Sequence, residues 1–539
     1  MILPDTRDYQ SLRADFSWDL PERFNIARAI CDDWVERDPE RTALIYKHGS
    51  GEVETFSYAV LQKKANQLAN LMVECGILAG DRVAILLPQT PETAIAHIAI
   101  YKLGAVAVPL AALFGVEALE YRLQNCGAKA LITGESSLAK IAEIRDRLSA
   151  LEITWSIDGD DGTAQDFHAG LAVQDDQFET VDTGPDDPAL MIYTSGTTGP
   201  PKGALHGHRV LAGHLPGVQF ANEFLPQPGD IMWTPSDWAW AGGLLNVLLP
   251  GLFFGVPVAG QKSSKFDPHA AFAFMAELSI RNIFIAPTAL KMMRVVEKPA
   301  ETYGVNLRTL YSGGEAVGRE LQDWAKAEFG IPINEVFGQT ECNLVLTSCA
   351  AGGIWRKGAI GMPVPGHNVA IVDNTGAILP AGEAGNIAIK RPDPVMFLEY
   401  WDNPKATEEK FAGDWLLTGD QGYMDEDGYF FFVGRDDDVI TSAGYRIGPG
   451  EIEDCLIGHR AVKLAAVVGK PDPIRTEIVA AFIVLNDEFS ASDEIAEDIQ
   501  NFVRDRLSAH EYPREIAFRE ELPLTTTGKV IRRLLRDSA

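Results

Sequence analysis

The residues from Tyr193 to Gly203 read YTSGTTGPPKG. Thr194, Ser195, Thr197 and Thr198 supply hydroxyl donors, Gly196 lets backbone come close to a ligand, and Lys202 adds a compact cation. Together these are the groups a polyphosphate needs: hydroxyls, exposed N–H groups and a point charge. A Walker loop is excluded, because it requires glycine before its lysine and Ser/Thr after it, and Pro201 and Gly203 stand there instead. The preceding PALMIY, Pro188 to Tyr193, is short, apolar and led in by the polar TGPDD, so it reads as a buried strand feeding an exposed loop.

Further stretches carry chemistry at strand ends. SGGEAVG, Ser312 to Gly318, sets glycines and a carboxylate between an expected strand and helix. NEVFGQTE, Asn334 to Glu341, ends an expected strand in acceptors suited to a nucleobase and a metal. LLTGD, Leu416 to Asp420, puts an aspartate where it can accept from ribose hydroxyls. GRDDDVITSAGYRIGPGEIE and PLTTTGKVIRR follow, the latter with Lys529 in a P-x-T-x-x-G-K context. His206 and His208 are two histidines on an expected helix-leading loop with no third ligand, a poor basis for a metal site. Trp233, Trp238 and Trp240 can be read as plain core.

The elements that must position these residues alternate. YAVLQKKANQLANLMVECG places Leu61, Ala65, Leu68 and Met72 on one helical face and ends at Gly76. DRVAILLP reads as a buried strand, PETAIAHIAIYKLGA as a helix and AVAVPL as the next strand. That rhythm predicts a parallel sheet covered on both faces, and it returns near Arg281 and Leu307. From about Gly358 short strands around DNTG and PAGEAG predict a small β subdomain. After Asp436–Asp438, AVKLAAVVG and IVAAFIVL predict strands and DEIAEDIQNFVRDRLSAH an amphipathic helix, a separate α+β unit.

With 539 residues the chain exceeds what one core serves. Its net charge of −29 argues against general nucleic-acid or anionic-membrane binding, while leaving room for one anionic ligand in a locally basic pocket. The six cysteines are scattered without a C-x-x-C pair, which points to a reducing, cytoplasmic setting rather than disulfides or zinc. The N-terminus lacks the uninterrupted apolar run of a secretory signal. Gly242–Gly260 reaches membrane length, but Asn246, Pro250 and Pro257 interrupt it, so it predicts a buried helix followed by a strand and no membrane segment.

These six motifs, in order over nearly the whole chain, resemble those of the acyl-adenylate-forming enzymes, specifically AMP-forming acyl-CoA synthetases. The resemblance implies an α/β fold: a large N-terminal domain, residues 1–436, of doubly wound sheets with a small β-barrel subdomain, and a small mobile α+β domain, 437–539. It implies ATP, Mg2+ and coenzyme A as reactants and cofactors and a carboxylic acid as substrate. Residues 194–202 match the triphosphate loop. Gly314, Glu315 and Ala316 match the segment lining adenine, and Asn334, Glu335, Phe337, Gly338 and Gln339 its other wall. Thr340 matches the α-phosphate contact and Glu341 the magnesium ligand. Asp420 and Arg435 match ribose contacts, Asp437 the hinge, and Gly444, Tyr445 and Arg446 the face turned to coenzyme A. Lys529 matches the lysine of adenylation.

Trp233, Asp237 and Trp238 stand where the family lines its acyl pocket. Acetate-specific relatives have tryptophan where this chain has Gly338, which implies a longer acyl group of the short/medium-chain branch; an aryl acid also fits a Trp-lined pocket. A carrier-protein thiol is the alternative acceptor. A homodimer, and a lysine acetyltransferase acting on Lys529, are further expectations of the resemblance.

Overall fold

The computed structural model describes every residue except 1, 161, 195–199, 264–265, 436–437, 443–444, 473–474, 508–510, 526–528 and 537–539, and the side chains of 441, 445 and 446. Two large sheets face a shared interior. In the eight-stranded sheet the run Arg82–Leu86, Val106–Pro109, Ala130–Thr133 and Ile153–Ser156 is parallel, as the strand–helix rhythm predicts. Its other end is antiparallel: Pro188–Thr194 turns back into Lys202–Gly207, with Thr194 opposite Lys202, and Glu399–Tyr400 adds beyond it. The glycine- and proline-rich loop is thus a hairpin rather than a crossover, which makes the sheet mixed.

The nine-stranded sheet is built the same way. Thr309–Gly313 lies parallel to Asn282–Phe284 and to Ile333–Gln339, and Cys342–Thr347 returns antiparallel after a short turn. Between the sheets lies a continuous apolar core, to which Tyr58–Glu74, Pro91–Leu103, Arg209–Ala221 and the 241–254 segment contribute. The first of these helices starts where the Ser57 hydroxyl accepts from Val60 N–H, and buries Leu61, Ala65, Leu68 and Met72 as their spacing requires. Pro91 opens the second and left-handed Gly104 closes it. The 242–260 stretch is a largely buried helix ending at Gly255, then the strand Val258–Gln261. No helix among the described residues is long and apolar enough to cross a membrane.

Residues 369–435 form a five-stranded antiparallel sheet, in which Trp415–Met424 pairs with Gly385–Lys390, Phe411–Ala412 and Phe430–Arg435. Its hydrogen bonding is open where a small barrel was expected. From Ile440 onward the strands belong to a fourth sheet, in which Val462–Asp472 and Thr476–Leu485 pair over their full length and Glu515–Phe518 joins in parallel. Helices Pro449–Ile457 and Asp493–Arg506 pack on it and close a core of their own.

Candidate active site

The hairpin turn Thr340–Glu341 is the centre of the site. Strand Ile333–Gln339 delivers it, Gln339 pairing across the turn with Cys342. Glu341 is buried, its carbonyl accepts from Phe397 N–H at 2.9 Å, and its Oε1 accepts from the Tyr400 hydroxyl. Burial and the neighbouring carboxylate push the Tyr400 phenol well above its ordinary range, so it stays a donor. The Lys202 ammonium lies 5.2 Å from the centre of the Tyr400 ring. Lys202, Tyr400 and Glu341 therefore form one line from the loop hairpin to the turn. Neither Tyr400 nor its role was legible in the sequence, since it lies in no recognised motif and reaches the site only because Glu399–Tyr400 pairs with Ala204 and Leu205.

Beside that line lies a second constellation. Gln339 Nε2 donates to Asp420 Oδ2 at 2.7 Å and to the Thr418 carbonyl at 2.8 Å. Asp420 faces Arg435 across the strand pair, with the guanidinium 3.7 Å from its carboxylate. Burial raises the Asp420 carboxyl, and Arg435, Gln339, Lys410 and Lys529 oppose the shift. Lys410, which no motif marked, donates to Gln339 Oε1 at 3.3 Å and to the Leu417 carbonyl at 3.1 Å.

Lys529 enters from the C-terminal sheet. Its carbonyl accepts from Thr525 N–H at 2.6 Å and its N–H donates to Thr525 Oγ1 at 3.0 Å. The ammonium lies over Gly314: a Cβ there would stand 3.5 Å from Nζ, and Gly314 has φ +92°, a backbone that side chains rarely adopt. Glu315 accepts from the Thr288 hydroxyl at 2.8 Å through Oε2, and its Oε1 is buried without a partner. Ala316 lies against Gly450, where a Cβ would be 3.7 Å away.

The remaining expected residues lie in varied surroundings. Asn334 is committed to structure: it donates to the Ala221 carbonyl at 2.9 Å and accepts from Ala350 N–H at 3.3 Å. Glu335 accepts from Val317 N–H at 3.2 Å, and burial pushes its carboxyl up to about 8. Phe337 is half-buried against the cluster around Cys342 and Phe430. Trp233 points away from the interior between the sheets and packs on Phe274 at 5.0 Å, because it alternates with the inward Met232. Trp238 does face that interior, its ring against Gly260, and Asp237, whose Oδ1 accepts from Ala239 N–H at 3.0 Å, is raised to about 6 by burial.

Gly338 differs from expectation in its reason. A Cβ there would stand 2.2 Å from the Leu344 nitrogen, so the position is glycine because backbone crosses it, and the missing indole does not leave a hole at that point. His206 lies in a strand and His208 at a helix start, rather than on a loop; burial lowers them to about 3 and 4, leaving neutral core histidines. Ser195, Gly196, Thr197, Thr198, Asp437 and Gly444 lie outside the described residues, as do the side chains of Tyr445 and Arg446, whose backbone forms the strand Tyr445–Ile447.

A divalent cation fits this site in one way. No group of three or more His, Cys, Asp or Glu side chains able to hold a metal exists among the described residues. Tyr400 occupies only one oxygen of Glu341, however, and Mg2+ commonly takes one carboxylate with substrate phosphates and water.

Mixed sheets of this order, with a strand-end carboxylate, a basic hairpin and a lysine delivered from a following small unit, define an adenylate-forming ligase. Residues 31–401 match the AMP-binding enzyme family and residues 451–529 the AMP-binding enzyme C-terminal domain. The chain is 34% identical to the acyl-coenzyme A synthetase ACSM3, mitochondrial, of Rattus norvegicus, over 98% of this chain and 93% of that protein. It is 34% identical to the uncharacterized acyl-CoA ligase YtcI of Bacillus subtilis, over 92% of this chain and 93% of that one. Among solved structures, the anthranilate CoA ligase AuaEII in complex with anthranoyl-AMP superposes with a TM-score of 0.89 at 28% identity, covering 97% of this chain and 98% of that one. The chain belongs to the AMP-binding enzyme family.

Proposed function

We propose that the protein activates a carboxylic acid with ATP and transfers the acyl group to coenzyme A. A carboxylate oxygen attacks the α-phosphorus, the bond to pyrophosphate breaks, and the acyl-adenylate forms. The thiol of coenzyme A then attacks the acyl carbon, loses its proton and expels AMP. The observation that carries this reading is Lys529, brought from the last residues of the chain to Gly314, beside the Gln339–Asp420 pair.

In the first half-reaction charge repulsion is the obstacle, so positioning and electrostatic stabilisation do most of the work. Lys529 would contact the attacking carboxylate and the bridging oxygens, Lys202 and the 194–198 hydroxyls the outer phosphates, and Thr340 the α-phosphate. Asp420 and Arg435 would hold the ribose, and Gly314–Ala316 with Phe337–Gln339 would flank adenine. Glu341 would hold Mg2+, which when bound neutralises phosphate charge. Tyr400 fixes the carboxylate for that purpose. The Trp238 and Asp237 segment would line the acyl pocket, and Gly444 to Arg446 would meet coenzyme A. The division falls at residues 436 and 437, with Asp437 as hinge, where the third sheet ends at Arg435 and the fourth begins at Ile440.

The acid is a short- or medium-chain one, a reading supported by the likeness to acyl-coenzyme A synthetases over nearly the whole chain. An aryl acid is the second reading, favoured by the 0.89 superposition on a ligase holding anthranoyl-AMP. A reducing cytoplasm suits six free cysteines, and the exposed Lys529 is reachable by an acetyltransferase, whose action would remove the cation. Coenzyme-A-dependent AMP release across aliphatic and aryl acids tests the reaction. Lys529→Ala should abolish ATP–pyrophosphate exchange and spare thioester formation from supplied acyl-adenylate; equal loss in both would remove Lys529 from the assignment.

A further inference from the structure

Gly318 opens the helix Arg319–Phe329 and has no side chain to cap it. The cap comes from the other sheet system. Asp454, on helix Pro449–Ile457, accepts from Arg319 N–H at 2.9 Å and from Glu320 N–H at 3.3 Å. Only glycine allows this approach, since a Cβ at Gly318 would fall 2.2 Å from Asp454 Oδ1. Asp454's helix is gripped once more within the same last turn, where the Arg294 guanidinium donates to the Ile457 carbonyl at 2.8 Å. A carboxylate thus meets the positive end of one helix and a guanidinium the negative end of another, both across the same seam.

The seam is tied to the adenylation lysine. Glu453, next to Asp454, accepts twice from Arg532 at 2.8 Å, and Arg532 follows Lys529 by three residues. Fixing the 449–457 helix on the 319–329 helix therefore helps hold Lys529 over Gly314.

We propose that Asp454 is a positioning residue for acyl-adenylate formation: by capping the 319–329 helix from the C-terminal unit it holds Lys529 in the nucleotide site. The proposal rests on the reading of Lys529 given above. An N-cap in a protein contributes about 0.5–2 kcal/mol. Removing this one shifts the docked population roughly 2- to 30-fold.

The test separates the two half-reactions of the full-length enzyme. Asp454→Ala should lower kcat/KM for ATP–pyrophosphate exchange about 2- to 30-fold, with thioester formation from supplied acyl-adenylate at the wild-type rate and Tm essentially unmoved. Asp454→Asn should recover only part of the exchange, because its single amide oxygen can accept from one of the two N–H groups that the carboxylate serves. Should Asp454→Ala fail to fold, Arg294→Ala, which removes the second contact to the last turn of the same helix, should show the same split. Wild-type exchange in Asp454→Ala, or a parallel loss in both half-reactions, overturns the proposal. Lys529→Ala run alongside separates the causes: if it too retains exchange, the reading of Lys529 fails first, whereas a dead Lys529→Ala beside a fully active Asp454→Ala refutes the cap alone.

Discussion

Replacing Tyr400 by phenylalanine removes one hydroxyl and nothing else. The ring would keep its place against Phe397, 4.9 Å away, and would keep the Lys202 ammonium 5.2 Å from its centre. Tyr400 is 3% and Glu341 6% exposed, so water has little access to replace the lost donor. A hydrogen bond to a charged group contributes about 1.5–3 kcal/mol. At a factor of ten per roughly 1.4 kcal/mol, that corresponds to about 10- to 100-fold. The expected result is a fall of that size in kcat/KM for ATP–pyrophosphate exchange at limiting Mg2+, a higher Mg2+ concentration for half-maximal rate, and a Tm close to wild type. The assay is exchange measured across a magnesium titration, beside a thermal melt. Exchange within twofold of wild type at every Mg2+ concentration would refute the claim that this hydroxyl orients Glu341. A large drop in Tm would show instead that the hydroxyl serves the core.

Two other substitutions probe the frame around the site. Gly338→Ala should lower stability by about 1–3 kcal/mol, the usual cost of overpacking, because the new Cβ meets backbone at Leu344 that cannot step aside; a melt as high as wild type would show that the 343–344 segment yields. Glu335 stays protonated in the fold up to about 8, against an ordinary 4.5, so the unfolded chain releases its proton first and stability is lost as pH rises from about 4.5 through 8. Glu335→Gln should match wild type near pH 4.5 and exceed it by up to roughly 5 kcal/mol above pH 8, read as a Tm gap that opens with pH; a constant gap would mean that the Glu335 carboxyl ionises normally.

The active-site motifs were legible because adenylation chemistry restricts residue type as well as position. A polyphosphate loop needs glycine, hydroxyl and cation together, and a carboxylate at a strand end needs a strand before it, so Lys202, Glu341, Asp420 and Lys529 stand out along the chain as candidates. Helix faces such as Leu61, Ala65, Leu68 and Met72 were readable for the same reason, since local periodicity fixes them. Three things depended on long-range pairing, for which local sequence carries no signal. Trp233 and Trp238 look alike in sequence, yet strand alternation sends the first outward onto Phe274 while the second faces the interior. Tyr400 gains its role from pairing with a strand nearly two hundred residues earlier. Asp454 reads as one more acid on an amphipathic helix until two separate sheet systems meet at Gly318, where the absence of a Cβ lets its carboxylate reach the start of a helix. The sequence determined which chemistry the groups can perform, while the tertiary structure alone decided which of them meet, because contact between distant segments is set by how the sheets stack and where backbone leaves room.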